Sequence, residues 1–107
     1  MIAFEVRLNG KRICIAGAED LAVLSAHVTA SGKLGANTVP ARSDDTDGEV
    51  FYSVGGLTAR PDPDKDVHVR WKSTSPLRVG DVIQVKVLKV KKADRAKSRT
   101  KAIRKRE

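Results

Sequence analysis

Few side chains in this chain could do chemistry, and their spacing is the first thing to test. There is one cysteine, Cys14, and there are two histidines, His27 and His68. The histidines stand alone in sequence, and no nucleophile motif surrounds Cys14 or any serine. A two-residue turn at Asn9-Gly10 would set Cys14 across from Glu5, and a carboxylate there raises a thiol pKa, the opposite of what a nucleophile needs. One Cys and two separated His match none of the spacings that hold zinc. Asp62, Asp64 and Asp66 recur at alternate positions, as the ligands opening a calcium loop do. Val67 stands where that loop needs a glycine, however, and Ser73 where it needs a bidentate acid. The three acids are expected to solubilise a proline turn. The expectation is a non-enzymatic protein without metal or cofactor.

What remains is charge. Residues 1 to 87 hold 11 Lys+Arg against 11 Asp+Glu, and residues 88 to 107 hold 10 against 2, so the net +8 falls in the last 20 residues. The candidate contacts are Lys91, Lys92, Arg95, Lys97, Arg99, Lys101, Arg104, Lys105 and Arg106. Such a run is drawn to phosphate backbone, where it displaces counterions without reading sequence. Nucleic acid is the expected partner. The alternatives are a solvated tail that aids solubility and an accessory protein that holds a partner protein by a sheet edge or face. Ala93, Ala96, Thr100 and Ile103 recur at helical spacing, so residues 89–107 are expected to be disordered, or helical once a polyanion screens their repulsion. After Val90 the only large apolar residue is Ile103, too little for insertion into a membrane surface. No apolar run reaches the roughly 18 residues of a membrane span. With no secretory leader and no disulfide partner for Cys14, the expected location is the cytoplasm.

The elements that would carry these residues are short and extended. Ile2, Phe4, Val6 and Leu8 alternate with Ala3, Glu5 and Arg7, the period of a half-buried strand. Asn9-Gly10 suits a type I′ turn, and a two-residue turn sets Val6 against Ile13, Phe4 against Ile15 and Arg7 against Arg12, with Glu5 diagonal to the arginines. Residues 21 to 30 read as a strand with Leu24, Ala26, Val28 and Ala30 inward and His27 outward. A helix grouping Leu21, Leu24 and Val28 is the alternative. Residues 31–48 are rich in Gly, Asn, Asp and Ser and read as a mobile loop. A short strand from Glu49 is expected to end at Gly55-Gly56, and another to run from Asp66 to Lys72 with Val67, Val69 and Trp71 inward. Residues 73 to 76 read as a turn. A last strand, opened by Gly80-Asp81, would place Ile83, Val85 and Val87 in the core. Six strands and no confident long helix predict one all-β domain over residues 1–88, a small antiparallel sandwich or barrel starting with a tight hairpin, followed by the basic tail.

Two stretches carry resemblances. Leu77-Arg78-Val79-Gly80-Asp81-Val82-Ile83-Gln84-Val85-Lys86-Val87 is similar to the Gly-Asp strand of small barrels of the OB and S1 kind. Binders of that class stack bases on exposed aromatics, and only Phe51 or Tyr52 could serve. Residues 4 to 12, 53 to 57 and 71 to 87 together resemble a group of small bacterial proteins of unknown function, a resemblance that implies no activity, ligand or site.

Overall fold

Residues 1–39 and 48–101 are described by the computed structural model, and their alternating patterns resolve into seven strands. These are β1 (Ile2–Leu8), β2 (Lys11–Ala16), β3 (Leu21–Ser31), β4 (Glu49–Thr58), β5 (Val67–Leu77), β6 (Ile83–Lys89) and β7 (Ser98–Lys101). They form two antiparallel sheets, one ordered β2-β1-β6 and the other β3-β4-β5-β7. The sheets face each other as an open sandwich, and no barrel closes among the described residues. Segment 21–30 is a strand, as its alternating polar residues imply. The seventh strand lies in the stretch expected to be disordered or helical. Residues 91–97 are irregular and 98–101 form β7, and both stretches hydrogen-bond to otherwise unpaired sheet edges. Residues 102–107, and 40–47 of the expected loop, lie outside the described residues.

The core is thin. Val6, Cys14 and Ala16 from one sheet meet Val54, Val69 and Trp71 from the other, with Phe4, Leu24, Ala26 and Ile83 packed around them. The first hairpin forms at Asn9-Gly10, both with positive φ (52° and 82°), as a type I′ turn requires. Arg7 faces Arg12 as a two-residue turn dictates, but a bulge between Val6 and Arg7 then shifts the register by one. Val6 meets Cys14 and Glu5 meets Ile15. The bulge turns Cys14 into the core, where the expected register had placed it opposite Glu5.

Three further expectations are corrected. β4 does not stop at Gly55-Gly56. A Cβ on Gly55 would lie 2.8 Å from Val69 O, and one on Gly56 closer still to Val23 O. Glycine there lets three strands approach, with the β4–β5 register shifting beside it. β5 does not turn at residues 73 to 76 but runs to Leu77. β7 covers only Val67 to Arg70, so Pro76 lies on an open edge, where its missing N–H costs no ladder bond. Finally, Ile83 packs against the core, but Val85 and Val87 stay exposed on the same side of β6. β2 lies over β5 and β1 over β3, and β6 makes no comparable contact with the opposite sheet, so its later valines are left uncovered.

Acids organise the connections. Asp66 is fully buried and accepts from Arg60 N–H (2.8 Å) and from the Thr58 hydroxyl, which in turn accepts from Val67 N–H (2.9 Å). It is a structural acceptor, not a solubilising surface acid. Asp62 accepts from Asp64 N–H (3.0 Å) and caps a 3-10 turn at Pro63–Lys65. The Gly-Asp turn before β6 is structural too. Asp81 N–H donates to Arg78 O (3.0 Å) with Gly80 at φ 97°, and Asn9 of the first hairpin exchanges bonds with Val82 and Asp81.

Candidate nucleic-acid interface

After β6 the chain becomes a strap across the side of the sandwich. Val90 N–H donates to Met1 O (3.0 Å), extending the β1–β6 ladder by one step. Ala93 then lies against Gly17 and Ala3, close enough that a Cβ on Gly17 would meet both side chains, at 3.3 and 3.0 Å. Asp94 closes the free edge of β2. Its N–H donates to Ile15 O (2.8 Å), and its carboxylate accepts from Ile15 N–H (2.8 Å). The Asp94 carbonyl accepts from Trp71 Nε1 (2.8 Å), tying the strap to the other sheet. Lys97 N–H donates to Arg70 O (2.9 Å), and β7 pairs with β5, Arg99 opposite Val69 and Thr100 opposite His68. Ala96 packs against the core. The alanines that suggested a helix are the strap's inward side.

With the backbone, Asp94 and the alanines turned inward, the cations are left outside. Lys91, Lys92, Arg95, Lys97, Arg99 and Lys101 are all exposed. Arg99 lies 3.5 Å from Asp20, which also accepts two bonds from Arg60 (2.7 and 2.9 Å). Among the described residues no carboxylate pairs with the other five. Arg104, Lys105 and Arg106 lie outside the described residues. The strap brings its cations alongside two that the sequence pattern did not single out, Arg70 and Lys72 of β5. Lys72 and Lys97 both act electrostatically on Cys14. The only signal for Arg70 and Lys72 was their outward position on an alternating strand.

The titrating groups show the same field. Burial pushes the Cys14 thiol up, and the Asp94 charge adds to this against the weaker pull of Lys97 and Lys72. A buried thiol held protonated is not a nucleophile. Burial likewise raises the Tyr52 phenol. For Asp20, burial opposes ionisation, but the Arg60 hydrogen bond and the Arg99 charge outweigh it and hold the carboxyl below the usual range. Across the molecule, the Arg7 hydrogen bond (2.9 Å) holds Glu5 low, with Lys86 and Arg12 contributing. That carboxylate offsets the Arg7–Arg12 pair.

Of the remaining candidates, His27 and His68 border one shallow groove over Gly55-Gly56, but not as a metal-ligand group. His27 pairs with Ser53 and His68 with Leu57, so the two imidazoles are four β4 positions apart on the outer face. Among the described residues no three His, Cys, Asp or Glu are grouped to hold a metal ion. Tyr52 is buried against Cys14's side of the core and is not an outward stacking platform, while Phe51 is half-buried opposite Pro76. No helix among the described residues is long and apolar enough to cross a membrane. Comparison with family models, curated proteins and solved structures finds no match to this chain.

Proposed function

We propose that the protein is a non-enzymatic binding module that holds nucleic acid by its phosphate backbone, without sequence preference, along the strap edge. One observation carries this reading. The chain is neutral over its first 87 residues, and its surplus cations leave the sandwich on a strap whose backbone and single described acid, Asp94, are already engaged inward. Cations on a fixed support lose less freedom on binding than cations on a free tail. The strap runs from the end of β6 past the edge of β2 to β5, which spreads its cations over several phosphates. Shape and base edges play no part, since among the described residues no exposed aromatic or recognition helix accompanies the cations.

The test keeps the strap and removes its charge. Full-length protein and a variant carrying Lys91→Gln, Lys92→Gln, Arg95→Gln and Lys97→Gln are titrated with labelled DNA and RNA of mixed sequence over a salt series. Neutralising about five phosphates gives log–log salt slopes near −4. The variant, with four fewer charges, should bind at least about a hundredfold more weakly at low salt, with a slope nearer zero. No binding by the unsubstituted protein at low salt, or equal binding by both, overturns the proposal.

A further inference from the structure

The outer face of the β3-β4-β5 layer carries a shallow groove of about 230 Å³, bordered by Ser25, His27, Leu57, His68 and Arg70 over a floor at Gly55. Strand pairing fixes how these residues surround the glycine. Ser25 of β3 and Arg70 of β5 both pair with Gly55, one from each side. Neighbouring strands lie about 4.8 Å apart, so the backbones of Ser25 and Arg70 stand about 10 Å apart with no side chain between them. His27 pairs with Ser53 and His68 with Leu57, the positions two before and two after Gly55. Each histidine is therefore a diagonal neighbour of the glycine, about 7–8 Å away at the backbone and within reach of a long side chain. β7 extends the same face, setting Ser98 beside Arg70 and Thr100 beside His68.

We infer that this groove is a seat for a phosphate group, centred over Gly55. The chemistry of its rim is one-sided. Arg70 presents a planar fork of donors that matches phosphate oxygens, the Ser25 hydroxyl and the two imidazoles add further donors, and no acid lines the groove. Among the described residues no carboxylate pairs with Arg70 or with either histidine. The floor is bare for a structural reason. Gly55 is glycine because Val69 O lies 2.8 Å from where its Cβ would stand, and the same missing side chain opens the space between Ser25 and Arg70. Size and charge select the occupant. The groove is smaller than the roughly 300–1,000 Å³ of sites for drug-sized ligands, and the Arg70 guanidinium turns a metal cation away from the imidazoles. A small anion remains. The seat lies beside the strap but is built from other residues, so it does not rest on the strap's hold on nucleic acid.

Titration of the full chain with inorganic phosphate at fixed pH, followed by the NMR signals of the imidazole Cε1 protons, tests this. The chain's two histidines both border the seat, so both signals should shift, saturably and with one Kd. Chloride at equal ionic strength should leave them in place. Arg70→Gln should raise that Kd about tenfold. Ser25→Asp sets a carboxylate against the anion and should abolish the saturable shift. Both positions face outward, so circular dichroism should remain that of the unsubstituted protein, and if one variant fails to fold the other decides. The four-Gln strap variant should bind phosphate undiminished, which separates this seat from nucleic-acid binding along the strap. In that variant the source of the phosphate is also read. A terminally phosphorylated oligonucleotide that moves both signals, where its unphosphorylated twin does not, shows a seat for a nucleic-acid end; a response to inorganic phosphate alone shows a seat for the free anion. No saturable shift with either source, or shifts indifferent to both Arg70→Gln and Ser25→Asp, overturns the inference.

Discussion

The residue that does most for the closed structure is Asp94, an acid set in a run of cations. Its backbone and carboxylate hold Ile15 from both directions while its carbonyl takes the Trp71 indole N–H. Asp94→Ala removes one charge-assisted acceptor and should cost about 1 kcal/mol, a fall in Tm of about 5 °C. Asp94→Asn keeps an acceptor and should cost less, and urea unfolding distinguishes the two. Asp20 has a pH signature. Its folded pKa lies below the unfolded value, so its contribution is complete above about pH 4 and is lost as pH falls through the folded value. Asp20→Asn should therefore destabilise by about 1 kcal/mol at neutral pH, and the gap to the unsubstituted protein should close at acidic pH. That Trp71 is core was legible from alternation with Val67 and Val69. Asp94's role was not, because an acceptor for a distant strand edge leaves no local pattern.

At the scale of elements, alternation located six strands but misjudged where they end. Gly55-Gly56 and residues 73 to 76 carry turn chemistry, yet both lie inside strands. At the glycines a neighbouring carbonyl occupies the space of a side chain. At Pro76 the edge is unpaired, so no donor is missed. Both causes are tertiary and invisible to a local window. Gly55→Ala places a methyl group 2.8 Å from Val69 O and should cost about 1–3 kcal/mol, and Gly56→Ala more, read as lowered urea midpoints. The hairpin turn was legible from Asn9-Gly10. The bulge beside it was not, and it reversed which face Cys14 takes. A bulge adds one residue without changing composition, so alternation over six residues fits either register.

At the scale of the whole molecule, the division into a neutral body and a cationic end is a division of charge and not of structure. Residues 90–101 complete both sheets, so a chain ended at Leu88 loses β7, the Asp94 contacts and the cover over the Trp71 edge. At about 1 kcal/mol for each hydrogen bond removed, the loss should reach about 3 kcal/mol or more. That is a large share of the roughly 5–10 kcal/mol a small domain has. Emission from Trp71, the single tryptophan, should shift to the red, and the unfolding transition should broaden.

The strap also sets an order in time. Met1 and Val90, Ile15 and Asp94, Trp71 and Asp94 are contacts across long stretches of chain, and the edges of β2 and β5 stay open until residues 94–101 have been synthesised. A growing chain must therefore carry the open edge of β2 from about residue 16 onward, and that of β5 from about residue 77, until the strap arrives. Closure by a segment so distant in sequence from the edges it covers makes folding slow for the chain's size and leaves those edges exposed until it docks.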